Sequence, residues 1–147
     1  MGRNQCSFMK PTPFNPETDL PPIPFDLRHR QAAAQLKERG LPWTPHVGCF
    51  VWDPDAIMEV TSPFPGRIYF ILNVGHFLRI FGSLEEISRK LVWLPTHHQA
   101  RLLCDQVGVT QEEVSAVLAS AASVGAGDEL LVLYKMILNK LEARQNL

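Results

Sequence analysis

The chain has 147 residues, 46% of them hydrophobic and 20% charged, with a formal net charge of −1. That length is close to the commonest domain size, and it buries enough surface to fold as one unit without disulfides or a structural metal. The balance of 14 Lys and Arg against 15 Asp and Glu excludes intrinsic disorder and a general nucleic-acid coat.

Six of the twelve prolines fall before residue 25, and each fixes its own φ and extends the residue before it. Residues 1–25 are therefore expected to form an extended Pro-rich arm, distinct from a single globular domain over 26–147. Phe8, Phe14, Leu20, Ile23 and Phe25 are interspersed as apolar anchors for the domain or a neighbouring subunit. Asp26 can cap a helix to about Arg39, which Gly40 and Pro42 end. Residues 47–52 are β-branched and aromatic and read as a buried strand with Cys49 inside it. Asp53-Pro54-Asp55 is a turn, residues 56–60 a brief strand, and 62–66 a loop. Residues 67–74 carry the strongest strand pattern, so a small antiparallel sheet of two or three strands follows.

The second half reads as four helices. Ser83 with Glu86, Thr96 with Gln99, and Thr110 with Glu113 each fit a capping box, a hydroxyl residue followed three positions later by Glu or Gln. They start helices at about 84–94, 97–107 and 111–124, closed by Pro95, Gly108 and Gly125. Asp128 caps a last helix to about Ala143. Leu130, Leu133, Tyr134, Ile137, Leu138 and Leu141 recur there at helical spacing, and Leu131, Val132 and Met136 widen the apolar face. Such a helix is either sandwiched centrally or shared with a second copy.

Residues 99–118, QARLLCDQVGVTQEEVSAVL, resemble the helix-turn-helix segment of bacterial DNA-binding proteins. Gly108 sits at the turn between Val107 and Val109, and Val114 and Val117 fall where a second helix packs on the first. The resemblance implies a DNA-binding regulator, but charge opposes it. Residues 102–134 hold Asp105, Glu112, Glu113, Asp128 and Glu129 and no Lys or Arg, whereas duplex binding depends on cations at phosphates. Nucleic acid is not an expected partner.

Cys6, Cys49 and Cys104 match no zinc or redox spacing, and an odd, sparse set fits a reducing compartment. The first residues have no apolar signal core, and Cys6 stands where a myristoylation signal requires Ser or Thr. The longest apolar stretch, 68–81, has 14 residues interrupted by Asn73, His76 and Arg79, short of the roughly 20 needed to cross a bilayer. A cytoplasmic protein without a membrane partner is expected.

His97 and His98 are adjacent, so in a helix they point about 100° apart and cannot readily share a metal. His46, Cys49, Asp53 and His76 cluster around the expected sheet, and Cys49 with a histidine would satisfy a Cys–His arrangement. A thiol inside a buried strand is the plainer reading, and no catalytic residue is assigned. Trp43, Trp52, Trp93, Phe50, Phe64, Phe70, Phe77 and Phe81 form a core or wall a pocket, with Trp43 beside Pro42 and Pro45 as the exposed candidate. The basic residues gather elsewhere, at Arg28, Arg30, Lys37 and Arg39 and again at Arg79, Arg89, Lys90 and Arg101, an asymmetry that can align copies.

The expected fold is α+β and mainly helical, with the arm, one helix, a small antiparallel sheet and a four-helix C-terminal half containing a helix-turn-helix-like pair. The leading functional expectation is a non-enzymatic interaction or assembly module, a homodimer using Phe8, Phe14, Ile23, Phe25, Leu131 and Met136, with no cofactor or metal. The alternative is a small-molecule-binding protein or enzyme using His97, His98, His46, His76 and Trp43. A DNA-binding regulator is the third.

Overall fold

The computed structural model describes residues 12–120 and 127–145. Among them, α1 spans Leu27–Glu38, β1 Phe50–Trp52, β2 Ile68–Phe70, α2 Val74–Phe81, α3 Leu84–Lys90, β3 Val92–Leu94, α4 His97–Gln106, α5 Gln111–Ser120 and α6 Asp128–Gln145. Across the described residues the fold is mixed α+β, with six helices and one three-stranded antiparallel sheet of order β2-β1-β3.

Phe50 lies opposite Phe70 on one side and Leu94 on the other. Side chains alternate along a strand, so Phe50, Phe70 and Leu94 share one face with Trp52, Ile68 and Val92. Val51, Tyr69 and Trp93 share the other. Ile68, Val92 and Leu94 join a core built with Ala33 and Leu36 of α1, Leu103 of α4 and Leu133, Tyr134 and Ile137 of α6. Val51 and Tyr69 join a second core with Cys49, Met58, Ile71, Phe77 of α2 and Ile87 of α3. The sheet is thus a partition between two apolar clusters, and each fully buried Ile or Leu stabilises it by about 1.5–3 kcal/mol.

The helix starts follow from local hydrogen bonding. Asp26 accepts from the N–H groups of Arg28 and His29 and caps α1. Thr96 and Gln99 bond reciprocally at α4, and Thr110 and Glu113 do so at α5, at 2.9–3.2 Å. Ser83 caps α3 through the N–H of Glu86, but the Glu86 carboxylate turns outward to Arg89 at 2.7 Å. α6 packs against α1, α4 and α5, and its residues Leu130, Leu131, Leu133, Tyr134, Ile137 and Leu141 are buried there. Its broad apolar face is therefore sandwiched within the chain.

Several expected boundaries are corrected. The strand of 47–52 begins only at Phe50, which leaves Cys49 just before β1. Residues 56–60 form no strand, because the Asp53 carboxylate gathers the N–H groups of Ile57 and Met58 at 3.1 and 2.8 Å and bends the segment around itself. The strand of 67–74 is cut to β2, since Asn73 caps α2 by accepting from the N–H of Gly75 at 2.9 Å. The helix of 84–94 stops at Lys90. Leu91 is extended, with φ −104° and ψ 156°, and the next three residues pair with β1 as the third strand. The four helices of the C-terminal half are present with β3 inserted after the first. The expected end of the third, at 121–125, lies outside the described residues, as do Cys6 and Phe8.

Residues 12–26 hold no helix or strand. Asn15 and Asp19 close a short turn, and the chain then enters the core at Phe25 with Ile23 packed beside it. No described helix is long and apolar enough to cross a membrane.

Candidate functional site

The register of β1 and β2 places Phe50 against Phe70 with ring centroids 4.8 Å apart. Phe25, entering from the segment before α1, lies 5.4 Å from Phe50, and Phe64, from the loop before β2, lies 5.6 Å from it. Four phenylalanines from four segments therefore meet at one point of the sheet. On this face of β2, Ile68 is fully buried under the helices and only the Phe70 end is left open. Phe70 keeps 39% of its surface, Leu72 74%, Phe14 43% and Leu20 92%.

Two depressions flank the cluster. One, of about 570 Å³, is walled chiefly by Pro13, Phe14, Pro21, Phe25, Phe64 and Pro65. The other, of about 320 Å³, lies between residues 22–25, Phe50 and the start of α6. The interface candidates divide accordingly. Phe14, Ile23 and Phe25 all line the larger depression. Leu131 is buried in the chain's own core, and Met136 packs against that core half-buried.

The histidines do not converge. His97 and His98 are exposed at the start of α4 and line a third cleft, of about 550 Å³, with Arg101, Asp105 and Gln111. His97 Nε2 is 3.7 Å from a carboxylate oxygen of Glu129. His76 packs edge-on to Phe77 on α2. His46 lies before β1, with Nε2 3.4 Å from Cys49 Sγ. Trp43 is stacked on Trp93, centroids 6.0 Å apart and planes 10° from parallel, beside a cavity of about 160 Å³ lined also by Lys37 and Leu41. That site has an aromatic wall and no histidine.

Asp53 is fully buried, and its carboxylate accepts from two backbone N–H groups and from Arg67 Nη2 at 2.9 Å, none of them a histidine. Among the described residues, no group of three or more His, Cys, Asp or Glu side chains is gathered closely enough to hold a metal. The thiol of Cys104, at the floor of the α4–α5 cleft, is pushed up by burial.

Sequence reasoning groups Phe50, Phe64 and Phe70 only as core or pocket aromatics and does not single out Leu72 as a contact residue. The available signal was the run Ile68-Tyr69-Phe70-Ile71-Leu72, which has an apolar residue at every position and so cannot hide both faces at an edge strand. Comparison of the chain with protein-family models, with curated proteins and with solved structures finds no match.

Proposed function

We propose that the chain is a non-enzymatic interaction module of the cytoplasm that assembles with a second copy of itself. The reading rests on the exposed Phe70 that packs on Phe50, on the exposed Leu72 that follows it in the chain, and on a groove walled by proline and phenylalanine that shares Phe25 and Phe64 with the cluster. Monomeric proteins rarely expose contiguous apolar patches beyond a few hundred Å². A two-fold pair buries one such patch against its own copy, without needing a differently shaped partner. The extended Pro-rich segment, with Phe14 and Leu20 outward, supplies anchors for that contact. The unpaired thiols of Cys49 and Cys104 support a reducing compartment.

Sedimentation equilibrium tests this. Wild-type protein is expected to be a dimer at micromolar concentration, and Leu72→Asp or Leu20→Asp a monomer of unchanged melting temperature, since neither side chain is in the core. A wild-type monomer across the whole concentration range removes the proposal.

A second reading, a small-molecule site, narrows to the cleft where His97, His98, Arg101 and Gln111 converge. It predicts a ligand-induced rise in melting temperature that His98→Ala and Arg101→Ala each abolish. We read α4 and α5, joined through Gly108 at φ +88°, as a helix-turn-helix-like pair that packs on α6. DNA binding stays third, because Glu112 and Glu113 occupy the exposed first turn of α5.

A further inference from the structure

Cys49 is fully buried, yet a solvent-exposed imidazole covers it: His46 Nε2 is 3.4 Å from its Sγ. His46 Nδ1 is 2.9 Å from the carbonyl oxygen of Val47, an atom that only accepts, so the hydrogen-bond network places the ring hydrogen on Nδ1. Nε2 is left with its lone pair facing the thiol. A nucleophile, a base within reach and a third group fixing the base's tautomer are the parts of an assisted thiol.

The cover is thin. His46 lies against the sulfur, and the backbone bond that ties residues 46–48 to the sheet runs from Gly48 N–H to the Ile71 carbonyl at 2.9 Å. Gly48 sits at φ +102°, with open space where a side chain would stand. The bond from Ile71 N–H to the Cys49 carbonyl, at 2.8 Å, belongs to the ladder behind it, so the loop can lift while β1 and β2 stay paired. Cys104 has no such imidazole in its hydrogen-bond partners or ion pairs among the described residues.

We propose that Cys49 and His46 form a base-assisted thiol that undergoes exchange with low-molecular-weight disulfides when residues 46–48 lift. The thiol proton passes to His46 Nε2 as Cys49 Sγ attacks one sulfur of the disulfide. A new S–S bond joins Cys49 to that half, and the old S–S bond breaks. The departing thiolate takes the proton from His46. Cys49 is thereby oxidised to a mixed disulfide and half of the reagent is reduced to a thiol, so no further oxidant is needed.

The experiment treats the full native chain with glutathione disulfide and with a chromogenic aromatic disulfide, and locates the adduct by peptide mass mapping. Cys49 is expected to react before Cys104, at a rate nearly independent of urea below the unfolding transition, which marks a local opening. His46→Gln, at an exposed position, should slow Cys49 about tenfold or more at unchanged melting temperature while leaving Cys104 unaffected. The proposal is overturned if labelling of Cys49 follows the urea dependence of global unfolding, or if His46→Gln reacts at the wild-type rate.

Discussion

Arg67 Nη2 donates to Asp53 Oδ2 at 2.9 Å and also to the carbonyl of Met58, closing the loop between β1 and β2 around one fully buried carboxylate. Arg67 adopts φ +60° and Ala56, inside the loop, φ +54°, a region that costs non-glycine residues energy unless their surroundings impose it. The Asp53 contacts supply that imposition. Asp53→Ala leaves the N–H groups of Ile57 and Met58 unpaired and Arg67 without its anion, so it should cost about 3–5 kcal/mol. Urea unfolding of the purified variant measures this, and a loss below about 1 kcal/mol, the range of an exposed pair, shows that the loop does not depend on Asp53.

The cap of α1 makes a separate prediction in acid. Burial raises the Asp26 carboxyl, but hydrogen bonds from Arg28 and His29 outweigh burial and lower its pKa from 3.8 to about 2. Because the folded value lies below the unfolded one, the stabilisation is complete above the unfolded value and is lost as pH falls through the folded one. Wild-type stability should therefore drop between about pH 4 and pH 2 by more than that of Asp26→Asn, which keeps a side-chain acceptor for the cap. Glu86 and Glu113 are also held low, by Arg89 and by Thr110 respectively, so the informative quantity is the difference between the two proteins. Parallel acid curves through that window would refute the assignment.

Tyr134 carries the alkaline counterpart. It is fully buried, its hydroxyl donates to the carbonyl of Pro95, and burial holds its pKa well above 10. The folded chain then keeps a proton that the unfolded chain releases, so stability declines as pH rises above about 10. Tyr134→Phe should remove that decline while leaving the Pro95 carbonyl unpaired at a cost of about 1–3 kcal/mol near neutral pH. Denaturant midpoints at neutral and alkaline pH separate the two effects. A midpoint equal to wild type at neutral pH is the outcome that counts against the bond.

These features differ in how far sequence alone reveals them. Thr96 with Gln99 and Thr110 with Glu113 are legible because a capping box is complete within four residues. The third strand is not. Val92, Trp93 and Leu94 would satisfy a helix following Arg89 equally well, and they become a strand only because Trp52, Val51 and Phe50 lie opposite them. Asp53 reads as a turn residue, since its burial depends on Arg67, 14 positions later in the chain. Of the candidate site, Phe14, Ile23 and Phe25 can be picked from sequence as apolar residues of the arm, and they line one depression. Their neighbours Phe50, Phe64 and Phe70 come from separate segments whose meeting no periodicity encodes. Leu131 illustrates the opposite error, because a wide apolar stripe reads the same whether one chain or two cover it, and here α1, α4 and α5 do.

Gly127 tests whether the segment before α1 is fixed to the body of the fold. It sits at φ +72°, and a Cβ added there would stand 2.5 Å from Pro24 Cβ and 2.9 Å from His29 Nε2. The same imidazole lies 2.9 Å from the Gly127 carbonyl oxygen, so Pro24, His29 and the start of α6 are packed as one contact. Gly40 offers the control, at φ +84° but with nothing within 4 Å of an added Cβ. Gly40→Ala should cost only the left-handed backbone penalty, about 1–2 kcal/mol. Gly127→Ala bears that penalty together with the displacement of Pro24 and His29, which overpacking data place at a further ~1–3 kcal/mol. Urea midpoints of the two variants give the comparison. Equal losses would mean that the contact yields freely and that residues 22–25 are held by Phe25 and Ile23 without it, whereas a larger loss at Gly127 ties the wall of the proline-lined groove to α6.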